Sequence, residues 1–454
     1  MPATFETPKK KKNSPRPTVW SEFSALAAET GAINLGQGFP NWEPPQFVTD
    51  AGIAAITSGH NQYTRTAGHP RLVELLAGRY TKHFGREVDP YAEVAITIGA
   101  SQALYVTMQV LLSPGDEVIL LEPFFDLYVG QIEMAGGTPV YVPLATEGQR
   151  WRLDAAALRA AITPRTRAII LNSPHNPTGK VFTRDEMLAV ADAIRAHPRA
   201  MVISDEVYKY MVYGDDNGDS GGGAGGGGGG ALSPSRHVHF ATLPGMWDRT
   251  VTISSAGKTF SVTGWQVGWA LGPRWFIRDV HAALPYMQFC AATPMQEAMA
   301  TALERADQPY RGHASYYDWL RTQYAQRCAA LAAALDAAGI PTMRGEGGFF
   351  LIGDVSRVRV SAAYLRAGTP AMPRMTRDWA FCRWLALEHG VIAIPTAPFF
   401  RREEEGEGGE GEGEGNPLRG RFVRFCFCKT DETLAAAAAA LAEMSRKTAA
   451  EEAQ

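Results

Sequence analysis

The sequence is poor in the features that would commit it to a special environment. Its 454 residues hold five cysteines, Cys290, Cys328, Cys382, Cys426 and Cys428. An odd, scattered set excludes a disulfide scaffold and fits a reducing compartment. Cys426 and Cys428 would share one face of a strand, but no partner cysteine or histidine follows at ligand spacing, so no metal is expected. No apolar run reaches the roughly 20 residues that span a bilayer, and the N-terminus lacks an apolar signal core, so no membrane partner is expected. Neither sign of charge dominates: 44 Lys and Arg against 47 Asp and Glu leave a formal net charge of −3. No nucleic-acid partner is implied. The expected compartment is the cytoplasm, with the mitochondrion as the alternative, and Lys9-Lys10-Lys11-Lys12 reads as a solvated tail. There is no internal repeat.

What is present is a large hydrophobic share, 45%, enough for a sizeable core in two domains or one large and one small. Residues 1–17, basic and proline-bearing, are expected to be disordered. Helical apolar spacing covers 20–28, 45–58, 69–84, 103–112 and 154–162. Short apolar strands are predicted at 94–98, 117–121, 138–143, 167–171, 200–204 and 250–253. Such alternation is the pattern of an α/β fold, a mostly parallel sheet with helices on both faces. Long helices are predicted at 278–305 and 310–338. A second α/β region follows from about 340, with strands at 347–352, 391–394 and 422–427 and helices at 378–389 and from 431. A glycine-rich insert at 214–234 and a Glu/Gly insert at 402–415 are expected to be flexible.

Ligands in open α/β sheets sit at the carboxyl ends of strands, a rule that selects Ser101, Phe125, residues 172–176, Asp205 and Lys258. Gly99-Ala100-Ser101-Gln102, between a strand and a helix, offers unpaired N–H groups and the helix dipole to an anion, although an ordinary N-cap serine explains Ser101 as well. The Asn176 amide can donate to a phenolate oxygen or a carboxylate. Asp205 ends a central strand, where a buried carboxylate needs a cation; a protonated ring nitrogen would serve. Lys258 follows strand 250–253 in a tight loop of small residues. Held against a low-dielectric wall, a lysine loses part of its preference for the ammonium, and the free amine forms an imine with an aldehyde. Taken alone, Lys258 is more often a strand-end lysine with a solvated head than a nucleophile; the other motifs decide. Gly36 and Gly38, flanking Gln37, allow the backbone to approach a ligand or another segment.

Five ordered motifs then carry a resemblance: Asn-x-Pro-x-Asn-Pro-x-Gly at 172–179, Ser-Asp-Glu-Val-Tyr at 204–208, Ser-x-Gly-Lys-x-Phe-Ser at 255–261, Gly-Trp-x-x-Gly-Trp at 264–269 and Arg-Phe-x-Phe at 424–427. Over roughly residues 18–445 the chain resembles the class I aminotransferases of pyridoxal phosphate fold type I. Residues 35–40, 122–126 and 243–247 look most similar to the kynurenine aminotransferase, glutamine transaminase K and cysteine-conjugate β-lyase branch. The resemblance implies a large domain, 46–305, with a mixed, mostly parallel seven-stranded sheet between helices. It also implies a smaller α/β domain, 306–454, joined by an N-terminal arm, 18–45.

The implied cofactor is pyridoxal 5'-phosphate. Lys258 would hold it as an imine and move the α-proton, and Asp205 would keep the pyridine nitrogen protonated. Asn176 and Tyr208 would donate to the phenolate oxygen, and Phe125 would stack on the ring. Ala100, Ser101, Ser255 and Gln266 would contact the phosphate. Arg424 would clamp the substrate α-carboxylate through two parallel hydrogen bonds. Gly38 and Trp20 match positions near the substrate side chain, and Tyr63 a tyrosine offered to the neighbour's phosphate, so a homodimer with a shared active site is implied.

The implied reaction is transamination between a bulky neutral or aromatic L-amino acid, kynurenine- or glutamine-like, and a 2-oxo acid. Cysteine-conjugate β-lyase activity at the same residues, or a broad aromatic and methionine aminotransferase, is the alternative. A sensor on this fold would carry a DNA-binding domain or lack the lysine; residues 1–17 show no such domain and Lys258 is present. Three positions depart from the family pattern: Gln266 stands where lysine or arginine is usual, Ser101 where close relatives have an aromatic residue, and Ala292 where a pocket histidine is often seen.

Overall fold

The computed structural model describes residues 17–213, 237–402 and 416–452. Most of the expected tail and nearly all of both inserts, including Lys9 to Lys12, lie outside the described residues. Seven strands form the central sheet: β1 (Val94–Ile98), β2 (Glu117–Glu122), β3 (Thr138–Pro143), β4 (Thr166–Asn172), β5 (Met201–Asp205), β6 (Thr250–Ser255) and β7 (Val267–Leu271). Their order is β1-β7-β6-β5-β4-β2-β3. All neighbours run parallel except β7, which is antiparallel to both β1 and β6.

The core follows the strand period of two. Val118, Leu120, Ile170 and Ile203 pack on one face with the helices Gly99–Leu111 and Arg274–Met287. Ile119, Leu121, Ile169 and Val202 pack on the other with the helix Arg184–Arg195. A sheet covered on both sides leaves its strand ends as the natural place for a cleft.

Several local expectations need correction. The predicted helix at 278–305 is two helices, Arg274–Met287 and Thr293–Ala306. Pro294 lies in the first turn of the second, where its missing N–H costs nothing, whereas a helix running through it would lose that hydrogen bond and clash with its ring. Phe289, in the break, has φ +60°, and the Gln288 side chain donates to the Ile96 carbonyl at 3.0 Å. The helix predicted from 310 starts at Tyr316, where Ser315 caps it by accepting from Asp318 N–H. The sequence reading also passed over the helices Leu127–Met134 and Arg184–Arg195 and strand β7. β7 lies within the Gly-Trp-x-x-Gly-Trp motif, and a Cβ on Gly268 would lie 2.3 Å from the Gly99 carbonyl carbon, so glycine is what lets this strand approach the start of the neighbouring helix.

A second sheet, β8 (Phe350–Asp354), β9 (Ile394–Pro395) and β10 (Phe422–Cys426), has the antiparallel order β8-β10-β9. The N-terminal arm joins this region: Ile33 and Asn34 pair in parallel with Val391 and Ile392, and Cys426 N–H donates to the Leu35 carbonyl at 2.7 Å. That docking carries residues 36–39 to the ends of the central strands. Among the described residues, no helix is long and apolar enough to cross a membrane.

Candidate active site

One cavity of about 490 Å³ opens between the carboxyl ends of the central strands, the N-terminal arm and the second sheet. It gathers Trp20, Gly38, Ala100, Ser101, Phe125, Asn176, Asp205, Tyr208, Ser255, Lys258, Gln266 and Arg424. Of the residues expected to contact cofactor or substrate, Tyr63 stands apart: it is 80% exposed, its ring 4.7 Å from that of Phe289. Ala292 precedes the helix Thr293–Ala306 and does not line the cavity.

Lys258 is carried not by a loop but by a single helical turn, Ala256–Thr259, directly after β6. Its Nζ donates to the Gly38 carbonyl at 3.1 Å and lies 5.6 Å from the centre of the Phe349 ring. Burial lowers its pKa from the ordinary lysine value, against the opposing pull of the Cys428 and Cys426 thiols. The amine is thereby moved toward its nucleophilic form.

Asp205, the last residue of β5, is buried. Its Oδ2 accepts from the Tyr128 hydroxyl at 2.7 Å and its Oδ1 from Val207 N–H at 3.3 Å. Burial pushes the carboxyl up to about 6 despite both donors. Burial, with the Asp205 charge beside them, keeps the Tyr128 and Tyr208 hydroxyls well above the ordinary tyrosine value, so both remain donors at neutral pH. Asn172 braces the same floor, donating to the Asp205 carbonyl at 3.0 Å and accepting from Asn176 N–H at 2.7 Å.

Arg424, in β10, is 1% exposed. One terminal nitrogen donates to Asn176 Oδ1 at 2.9 Å and the other to the Gly36 carbonyl at 3.0 Å, while its buried Nε has no partner. The Phe350 ring lies 4.2 Å away and the Trp20 ring 5.1 Å. Among the described residues, neither Arg424 nor Lys258 has a carboxylate within ion-pair distance. Two cations without a paired carboxylate, Arg424 buried and Lys258 half-buried, suit an anionic ligand.

At the far end, the helix Gly99–Leu111 starts without a side-chain cap, and Gly99 takes φ +67° to turn from β1 into it. Gly99 N–H is taken by the Gln266 carbonyl at 2.8 Å, so the N–H groups that follow it, with the helix dipole, are what this end offers beside Ser101 and Ser255. Gln266 adopts φ +51°, lays its amide across Gly99 and donates from Nε2 to the Thr263 carbonyl at 2.6 Å. The end thus offers neutral donors.

Sequence reasoning missed three neighbours of this site. Tyr128 sits in an unpredicted helix, and its role depends on β5, 77 residues away. Asp126 accepts from Trp20 Nε1 at 2.7 Å and fixes that ring. Lys429 lies just beyond the predicted last strand. Glu206, next to Asp205, meets His239 and His237, a cluster that the cysteine-based search for ligands could not find. Burial alone would raise Glu206, but the two histidines outweigh it and hold the carboxyl well below its usual range.

Residues 30–441 match the family described as aminotransferase class I and II. The chain is 40% identical over 450 residues to the kynurenine–oxoglutarate transaminase of Dictyostelium discoideum, covering 96% of this chain and 95% of that one. It is 38% identical to human kynurenine–oxoglutarate transaminase 3, over 92% of this chain and 86% of the relative. Among solved structures, Escherichia coli YbdL, described with a methionine aminotransferase function, superposes with a TM-score of 0.80 at 30% identity, over 96% of this chain and all of that one. With a lysine, an aspartate and an arginine gathered around one cavity and a match along nearly the whole chain, the protein belongs to the class I and II aminotransferases and is kynurenine–oxoglutarate transaminase-like.

Proposed function

We propose that the protein moves the α-amino group of a bulky neutral or aromatic L-amino acid, kynurenine- or glutamine-like, to a 2-oxo acid, using pyridoxal 5'-phosphate. The family implies this cofactor, and the residues present fit it. The uncapped start of the helix Gly99–Leu111 with Ser101, Ser255 and Gln266 suits a phosphate, the Phe125 ring offers a stacking wall, Asn176 and Tyr208 suit the phenolate oxygen, and Asp205 suits a protonated ring nitrogen. When bound, the cofactor supplies the electron sink that stabilises negative charge at the substrate α-carbon.

The protein's own residues do the rest. The guanidinium of Arg424, with Nε free, takes the α-carboxylate and fixes the amino acid, and the Asn176 amide keeps that guanidinium in plane. Lys258 Nζ would hold the cofactor and serve as the base that takes the proton from the substrate α-carbon. Asp205, oriented by Tyr128, keeps negative charge at the ring-nitrogen end. Trp20, Gly38 and Phe350 form the apolar wall that would receive a large side chain and exclude water. The observation that carries this reading is the unpaired Nε of the buried Arg424 in the same cavity as Lys258.

The likeness to YbdL favours a second reading, in which methionine is also accepted. A second copy of the chain would complete the site by bringing Tyr63, exposed beside Phe289, over the phosphate end. The test is the absorption spectrum of the purified protein, before and after adding L-kynurenine or L-methionine without a 2-oxo acid. The visible band of the bound cofactor is expected to give way to the near-ultraviolet band of its amine form. A band present but unresponsive to both amino acids would overturn the substrate reading.

A further inference from the structure

Successive peptide carbonyls in the turn at residues 36–39 all accept from buried or half-buried cations. Arg424 donates to Gly36 at 3.0 Å, Lys429 to Gln37 at 3.1 Å and to Phe39 at 2.8 Å, and Lys258 to Gly38 at 3.1 Å. Lys429 is 3% exposed, and its Nζ lies 5.1 Å from the centre of the Phe39 ring. Among the described residues it has no carboxylate partner. A buried ammonium satisfied by carbonyls alone is a costly arrangement, which asks for a reason.

The first half of the turn is tied down by other means: Asn34 Oδ1 accepts from Gly36 N–H at 3.0 Å and Gln37 N–H at 3.1 Å, and Gln37 Nε2 donates to Ser24 Oγ at 2.7 Å. In the second half, at Gly38 and Phe39, the backbone contact apart from the cations is local, Phe39 N–H to the Gln37 carbonyl at 3.0 Å. Yet it must stay close to its neighbours, since a Cβ on Gly38 would lie 2.9 Å from the Phe350 ring in the cavity wall. The segment that carries Lys429 also grips the far end of the turn: Thr430 N–H donates to Asn41 Oδ1 at 2.8 Å, and Asn41 Nδ2 donates to Thr433 Oγ1 at 2.9 Å.

Two of the three cations have other work in the reading above, on which this step rests. Lys258 Nζ is drawn to the cofactor and the Arg424 guanidinium to the substrate, so both loosen their hold on the turn when the site fills. Lys429 does not line the cavity. We propose that Lys429 is a positioning residue that holds the 36–39 turn, and with it the Gly38 wall of the substrate pocket, in place while Lys258 and Arg424 engage their ligands.

The test compares the cofactor-loaded wild type with Lys429→Met, which keeps the apolar stem, and Lys429→Gln, which keeps one N–H donor without the charge. Hydrogen–deuterium exchange of the peptide covering residues 36–41 and the steady-state constants for the amino donor are measured. In Lys429→Met, exchange at Gln37 to Phe39 and the KM are each expected to rise on the order of tenfold, with kcat within about twofold, the loss of one charged hydrogen-bonding group. Lys429→Gln should move both in the same direction by less. Unchanged exchange and KM would overturn the proposal, and so would faster exchange spread equally through residues 422–426. If the wild type does not use the chosen amino acid, the substrate reading fails while the exchange data still decide the role of Lys429.

Discussion

Asp205 sets stability against function, and the conflict can be measured. In the cofactor-free protein its carboxyl is buried with neutral donors and titrates at about 6, against 3.8 for an ordinary aspartate. A carboxyl whose folded pKa is raised binds its proton more tightly in the native state. Stability therefore falls as pH rises from about 4 to about 6, and the loss is complete above that window. A shift of about two units corresponds to about 3 kcal/mol. Asp205→Asn removes the charge and keeps an oxygen that can accept from Tyr128. The cofactor-free variant should match the wild type near pH 4 and exceed it by about 3 kcal/mol above pH 7, read from urea unfolding across that range. With cofactor bound the order should reverse, because asparagine offers no charge to a protonated ring nitrogen, and turnover should be lost. An equal stability difference at pH 4.5 and pH 7.5 would refute the claim that an uncompensated buried charge is responsible.

Arg424→Lys retains the charge but not the planar fork, and one ammonium cannot serve both Asn176 and an α-carboxylate with the same geometry. Its kcat/KM for the amino donor should fall on the order of a hundredfold or more while the cofactor band persists; a smaller loss in a folded variant would show that the carboxylate sits elsewhere. Gln266→Lys places a cation beside Gly99, where the site now offers neutral donors, and should lower the cofactor dissociation constant about tenfold, as measured by fluorescence titration. An unchanged constant would sink the view that retention is weakened at this position. Gly268→Ala puts a methyl 2.3 Å from the Gly99 carbonyl carbon and 2.6 Å from Ala100 N. It should cost about 2 kcal/mol or more in thermal unfolding and weaken cofactor binding, because β7 and the start of the phosphate-facing helix cannot both keep their places.

Features written within one segment were legible in the sequence, and those made between segments were not. Strands β2, β4 and β5 announce themselves as short, continuous apolar runs because both of their faces are buried. Lys258 is marked by its small neighbours, which a surface lysine does not need. Arg424 has no such local mark: apart from the motif set it is one arginine in an apolar strand, and its burial against Trp20 and Phe350 follows from pairing in the second sheet. The break between the helices Arg274–Met287 and Thr293–Ala306 was written at Pro294, but helical periodicity on both sides masked it. Strand β7 was hidden because it follows a small-residue loop and is itself broken by Gly268, a glycine that serves a close approach to Gly99 that only the antiparallel register creates.

The 36–39 turn is the extreme case. Two glycines gave it away as a place of close approach, but the cations that meet it come from Lys258, Arg424 and Lys429, the last two separated from it by 388 and 392 residues. No pattern in either segment encodes that meeting. It follows from two ladders, Ile33 and Asn34 against Val391 and Ile392, and β10 between β8 and β9. Once those registers are fixed, Arg424 and Lys429 both reach carbonyls of the turn, and Gly38 and Phe350 are placed by contacts outside the sheet that carries Lys258 and Asp205. In the proposed function, substrate choice can therefore change through residues of the arm and the second sheet while the floor that carries Lys258 and Asp205 stays the same.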